Sequence, residues 1–152
     1  MRRLLLVLAA LLLLAPTAQA GPNPMLHIKR TGTSLELTTA EDGVVTLRPG
    51  TGGPGQRWRM YFVGIDRVVL VSLLAPGCLT AVEPQDVRLV EPCHGDPDRV
   101  WTRHVVAGES FALENTAHAG MCLSARPFTR VELAPCDGRH DRRWTAVIEP
   151  NP

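Results

Sequence analysis

A repeat constrains this chain more than any other feature. Its three tryptophans stand at 58, 101 and 144, and both intervals are 43 residues. The same interval separates Pro49, Pro92 and Pro135, and Cys93 from Cys136, with Gly50 in the matching place of the first copy. Cys78 and Cys122 lie 44 apart, as one inserted loop residue would give. Met25, Val68 and Phe111 are again 43 apart, each opening a short apolar stretch. Three such copies, about 25–67, 68–110 and 111–150, fill nearly all of the chain beyond residue 20. A repeat of this length means one supersecondary unit used three times, each copy burying its apolar face against the others.

The first 20 residues stand outside the repeat. Met1-Arg2-Arg3 is a short basic start, Leu4 to Leu14 is an apolar run, and Ala18-Gln19-Ala20 offers small residues to a signal peptidase. Eleven apolar residues are about half of the roughly 20 that a membrane-crossing helix requires. The segment reads as an export signal, and residue 21 is not a lipoprotein cysteine. The expected mature chain, 21–152, is one domain in length. Loss of Arg2 and Arg3 moves the formal charge from +1 to −1. That charge gives no footprint for nucleic acid or an anionic membrane. A secreted monomer is expected, extracellular or periplasmic, without a membrane span.

Within each copy the periodicity is that of strands. Asp42-Gly43 before Val44-Val45-Thr46-Leu47 is a hairpin signal. Val87-Arg88-Leu89 and Val131-Glu132-Leu133 alternate as half-buried strands do, which turns Arg88 and Glu132 to water. A β-prone run follows each tryptophan, and Pro or Gly interrupts about every ten residues, leaving no window for a helix. The fold class is all-β, with about four strands per copy. A propeller blade has a similar period, but propellers need at least four blades. Three copies favour a closed pseudo-threefold barrel with Trp58, Trp101 and Trp144 in equivalent core layers.

Four cysteines in an exported chain point to disulfides before metal ligands. Their positions, 78, 93, 122 and 136, permit three pairings, and no Cys-x-x-Cys is present. No metal or cofactor is expected.

Gly77-Cys78-Leu79-Thr80 running to Pro92-Cys93-His94-Gly95 and Arg99-Val100-Trp101 resembles one repeat of the ricin B-type (R-type) lectins. So does Asn115 to Ser124 running to Pro135-Cys136-Asp137-Gly138 and Arg142-Arg143-Trp144. Gln56-Arg57-Trp58 matches that family's Q-x-W signature. The resemblance covers residues 21–152 and implies a β-trefoil of twelve strands. It also implies one disulfide inside each cysteine-bearing repeat, Cys78–Cys93 and Cys122–Cys136. Each would close a loop of about 15 residues and stabilise by roughly 3 kcal/mol. The first copy has Leu35 and Gly50 at the cysteine places and relies on packing.

The function implied is carbohydrate binding, and here the chain departs from the family. Sugar-binding repeats carry an Asp after the Cys-Leu pair. This chain has Thr80 and Ser124 there, and Leu37 or Thr38 in the first copy. The stacking aromatic expected before Q-x-W is absent around Leu89 and Glu132, and the Gln persists only as Gln56, replaced by Arg99 and Arg142. The departures weigh against a galactose-type site in all three copies.

Phe128 and Tyr61 remain as stacking platforms. Asn115, Ser124, Asp141 and Arg142 in the third copy, with Thr80, Arg99 and Gln56, are the candidate ligand residues. An arginine there would suit an acidic sugar. The competing reading makes Asp98-Arg99 and Asp141-Arg142 local ion pairs, and Asn115 a turn residue. Gly108-Glu109-Ser110-Phe111-Ala112 approaches a nucleophile elbow but sits at a β repeat boundary, so no catalytic residue is expected. Two functions stay open: a non-catalytic glycan-binding module with a non-standard pocket, or a trefoil that has lost sugar binding and engages a protein, as an inhibitor or toxin accessory subunit.

Overall fold

In the computed structural model, residues 23–126 and 129–149 are described. The export signal and Phe128 lie outside them. Twelve strands fall four to a repeat. The first repeat has β1 (Met25–Arg30), β2 (Leu35–Thr39), β3 (Val45–Pro49) and β4 (Trp58–Phe62). The second has β5 (Arg67–Ser72), β6 (Cys78–Glu83), β7 (Asp86–Val90) and β8 (Trp101–Ala107). The third has β9 (Ser110–Asn115), β10 (Met121–Ala125), β11 (Val131–Pro135) and β12 (Trp144–Ile148). A 3₁₀ turn precedes each tryptophan strand, and no α-helix occurs among the described residues.

The pairing is antiparallel throughout and closes on itself. Strands β1, β4, β5, β8, β9 and β12 form a six-stranded barrel, β12 returning to β1 with Trp144 opposite Arg30. The hairpins β2–β3, β6–β7 and β10–β11 cover one end. They bond to each other in a ring: Leu47 N–H donates to Thr129 O, Leu89 N–H to Gly43 O and Leu133 N–H to Pro84 O. Each repeat thus donates to a neighbour and accepts from the other. Gly43 makes the first tip with φ +82°, a conformation that a residue with a Cβ resists. This is a β-trefoil.

The core explains why the tryptophans recur. Trp58, Trp101 and Trp144 are fully buried, and their indole N–H groups donate to Leu37 O, Leu79 O and Leu123 O at 2.9, 2.9 and 3.0 Å. An indole buried without that acceptor would lose about 1–3 kcal/mol. The leucines whose carbonyls accept are themselves buried, so each repeat locks its tryptophan strand to its hairpin.

Two expectations are corrected here. Across the barrel, Trp58 pairs with Leu26, Trp101 with Val68 and Trp144 with Phe111. Leu26, not Met25, is therefore the first repeat's counterpart, because that copy is one residue shorter before its tryptophan. Glu132 is buried rather than turned to water: it faces Ser124 across the β10–β11 ladder, and the Arg126 side chain covers it in an ion pair.

Candidate functional site

The residues expected to face a ligand mostly turn inward. Asn115 is fully buried; its Nδ2 donates to Asp98 O at 2.9 Å, and its Oδ1 accepts from Ala117 N–H. Thr80 is buried and donates to Cys78 O, while buried Ser124 donates to Asp141 Oδ2 at 3.0 Å. Gln56 organises its own loop: Oε1 accepts from the N–H groups of Thr51 and Gly52, and Nε2 donates to Pro49 O and Thr38 Oγ1. Arg99 repeats the device, reaching Pro92 O, 43 residues on from Pro49, and pairing with Asp96 and Asp98. Arg142 is buried and paired with Asp137, so the expected Asp141–Arg142 pair does not form. Most of their polar atoms are bonded within the fold, the exceptions being the buried Nε atoms of Arg99 and Arg142, so these side chains serve the fold first.

The disulfide expectation divides. Cys122 and Cys136 are bonded. Cys78 and Cys93 are free thiols, the first buried and the second exposed. Burial pushes the Cys78 thiol up to about 12, and its hydrogen bond with the neighbouring Cys93 adds to the shift. A thiol so raised holds almost no thiolate at neutral pH, the form needed for exchange. Ser110 begins β9 and donates to Ala107 O at 2.6 Å, so its hydroxyl closes the β8–β9 turn.

The polar groups that remain available gather elsewhere in the third repeat. A groove of about 290 Å³ lies beside the Cys122–Cys136 bridge, lined by His104, Glu114, Gly138, Arg142 and Arg143. His104 sits three residues after Trp101, on the outer face of β8. Its Nε2 donates to Glu114 Oε2 at 2.6 Å. The Gly120 N–H donates to Glu114 Oε1. That backbone bond first, and the His104 bond next, hold the Glu114 carboxyl below the ordinary carboxylate range. Arg143 bonds Gly138 O through Nε and Nη2, which fixes its guanidinium at the rim. Desolvation would raise Asp137, but the hydrogen bonds from Arg142 and the Arg139 N–H outweigh it and hold that carboxyl low. An ionised carboxylate, an imidazole and a guanidinium are thus pre-oriented along one groove.

The same groove exists one repeat earlier, about 340 Å³ in volume and lined by Tyr61, Val63, Val69, Val71, Cys93 and His94. Tyr61 occupies the place of His104, and Val71 that of Glu114. The sequence reading missed His104; translation by 43 residues from Tyr61 is the signal that leads to it.

No family model and no curated protein sequence matches the chain. Solved structures match it in fold. A designed threefold-symmetric protein, ThreeFoil, superposes with a TM-score of 0.72 at 16% identity, covering 81% of this chain and 97% of that one. A mosquitocidal holotoxin gives 0.75 at 14%, over 85% of this chain and 18% of the toxin. Cry35Ab1 gives 0.69 at 14%, over 86% and 38%. The chain matches less than half the length of the holotoxin and of Cry35Ab1. At such identities the likeness shows the β-trefoil fold alone, and fold does not fix function.

Proposed function

We propose that this chain is a secreted, non-catalytic recognition module that binds a glycan in the third-repeat groove. One observation carries the reading: His104, Glu114 and Arg143 are ordered by hydrogen bonds yet open to solvent along one concave surface. Sugar hydroxyls both donate and accept, and Glu114 with the His104 and Arg143 donors offers both roles at fixed positions. Arg143 suits a carboxylate or sulfate on the sugar. The ricin B-type resemblance supports the class, although the groove is displaced from that family's Asp position, where Thr80 and Ser124 are buried.

The test is a glycan array that includes acidic and sulfated sugars, read for the parent, Glu114→Gln and Arg143→Ala. The reading predicts at least tenfold loss in both variants with unchanged thermal melts. Equal binding by both variants, or silence of the parent across the array, would remove the glycan assignment.

A second reading, engagement of a protein partner, has its own observation. The β4–β5 turn carries Ile65 at 94% exposure next to exposed Phe62 and Val63. Loss of a co-purifying partner on Ile65→Ser, with array binding absent, would favour it.

A further inference from the structure

The end of the barrel opposite the hairpin cap is open and apolar. Counting from each tryptophan, the second and fourth residues point toward the barrel axis: Met60 and Phe62, Arg103 and Val105, Ala146 and Ile148. The fourth residues form the rim, and all three are apolar yet exposed, Phe62 by 54%, Val105 by 69% and Ile148 by 62%. The second residues form the layer beneath, where Met60 is buried and its third-repeat counterpart is an alanine. Behind the rim lies a cavity of about 540 Å³, within the range of small-molecule sites, with Leu26 and Phe111 at its floor.

Arg103 breaks this pattern. It is the single charged residue among the six axis-facing positions, and it lines the cavity. Its Nε is buried and has no hydrogen-bond partner among the described residues, and no carboxylate lies within ion-pair distance of it. The guanidinium sits over the Phe62 ring, 5.4 Å from its centroid, and its backbone N–H is fixed by Asp66 O at 2.7 Å. Glu109 also lines the cavity but makes no ion pair with it. A buried donor left unpaired costs free energy that an arriving acceptor would recover.

We propose that the barrel mouth binds a single-chain fatty acid, its carboxylate on Arg103 and its hydrocarbon chain against Phe62, Phe111 and Ile148. Charge complementarity selects the anionic head, and the apolar rim excludes a purely polar ligand. Size agrees: at roughly 30 Å³ per heavy atom, about the share of one water in the liquid, the cavity takes a ligand of about 14 heavy atoms with room to spare. Dodecanoate has that size. The site is separate from the glycan groove and does not depend on it.

Isothermal titration of the purified protein with dodecanoate, below its micelle concentration, tests the assignment. Dodecanol and dodecyltrimethylammonium serve as uncharged and cationic controls, and phosphatidylglycerol vesicles as a lipid surface. The expected result is micromolar dodecanoate binding that weakens at least tenfold in Arg103→Met, persists in Arg103→Lys, and is unchanged in Glu114→Gln. Ile148→Ser should weaken dodecanoate and dodecanol alike. The proposal is overturned if folded parent protein binds no dodecanoate, if Arg103→Met binds it as the parent does, or if the cationic control binds equally well. Binding to vesicles without binding to dodecanoate would replace it with a membrane-surface reading.

Discussion

The first and third repeats solve one structural problem by different chemistry. In the third, Cys122 and Cys136 join the two ends of the β10–β11 hairpin covalently. In the first, the same places hold Leu35 and Gly50, and the neighbouring Glu36 takes over. Buried Glu36 accepts from His27 Nδ1 at 2.9 Å and pairs with Lys29 at 3.3 Å. His27 Nε2 faces Glu149 Oε1 at 2.6 Å, and Arg57 reaches the same oxygen at 3.0 Å. The cluster links β1, β2, the approach to β4 and the chain beyond β12, where the barrel closes. Gly50 belongs to this device, since a Cβ there would fall 2.8 Å from Glu36 Cδ. Both hairpins keep the same backbone bond, Gly50 N–H to Ser34 O and Cys136 N–H to Gly120 O, each 2.9 Å. A pseudo-symmetric fold thus conserves backbone geometry while its side chains diverge freely.

The comparison can be broken from either side. His27→Ala should have the largest effect, a loss of about 3–5 kcal/mol in urea denaturation, because it takes from buried Glu36 the nearer of its two ion-pair partners. A loss below about 1 kcal/mol would mean that the cluster behaves as solvated surface charge. Replacing Cys122 and Cys136 together by Ser should cost about 3 kcal/mol, and reductant should bring the parent to the same stability. If reductant leaves the parent unchanged, the bridge is not what holds the third repeat.

Gly50→Ala comes next, at about 1–3 kcal/mol, since Glu36 must give up a partner to make room. Gly95→Ala, in open space, should change stability by less than about 0.5 kcal/mol. Equal effects at the two glycines would dismiss the steric account of Gly50.

The smallest effect is on pH dependence. Glu149 is held below the ordinary range by His27 first and Arg57 next, while its desolvation works against them, and Glu114 by Gly120 and His104. A carboxyl whose folded pKa is depressed stabilises fully above its unfolded value, and that stability disappears as pH falls through the folded value. Thermal melts from pH 7 to pH 3 should therefore fall below about pH 5. Glu114→Gln should flatten part of that decline. A decline that is identical in the variant would remove Glu114 from the account.

The fold was legible because its signals are local and repeated. Asp42-Gly43, the Val-x-Leu pairs and the tryptophan spacing each report backbone conformation over a few residues, and three copies reinforce them. The register of the first strand was less legible: spacing pointed to Met25, but a one-residue shortening hidden in a loop placed Leu26 opposite Trp58. The candidate ligand residues were least legible. Asn115 and Gln56 have side chains suited to a sugar, and nothing nearby in sequence says that Asp98 O or Pro49 O has already claimed them. His104 and Glu114, ten residues apart, meet only because β8 and β9 pair in a particular register.

By itself the sequence determined the number of strands, their grouping in three and the residues that fill the core, because burial follows from side-chain type and a period of two. Tertiary structure alone decided which polar groups are taken up by the fold and which stay open to solvent. His27 and Glu149 are 122 residues apart, and Arg103 Nε finds no hydrogen-bond partner among the described residues. Partnership between polar groups is set by distance in space, to which distance along the chain is no guide.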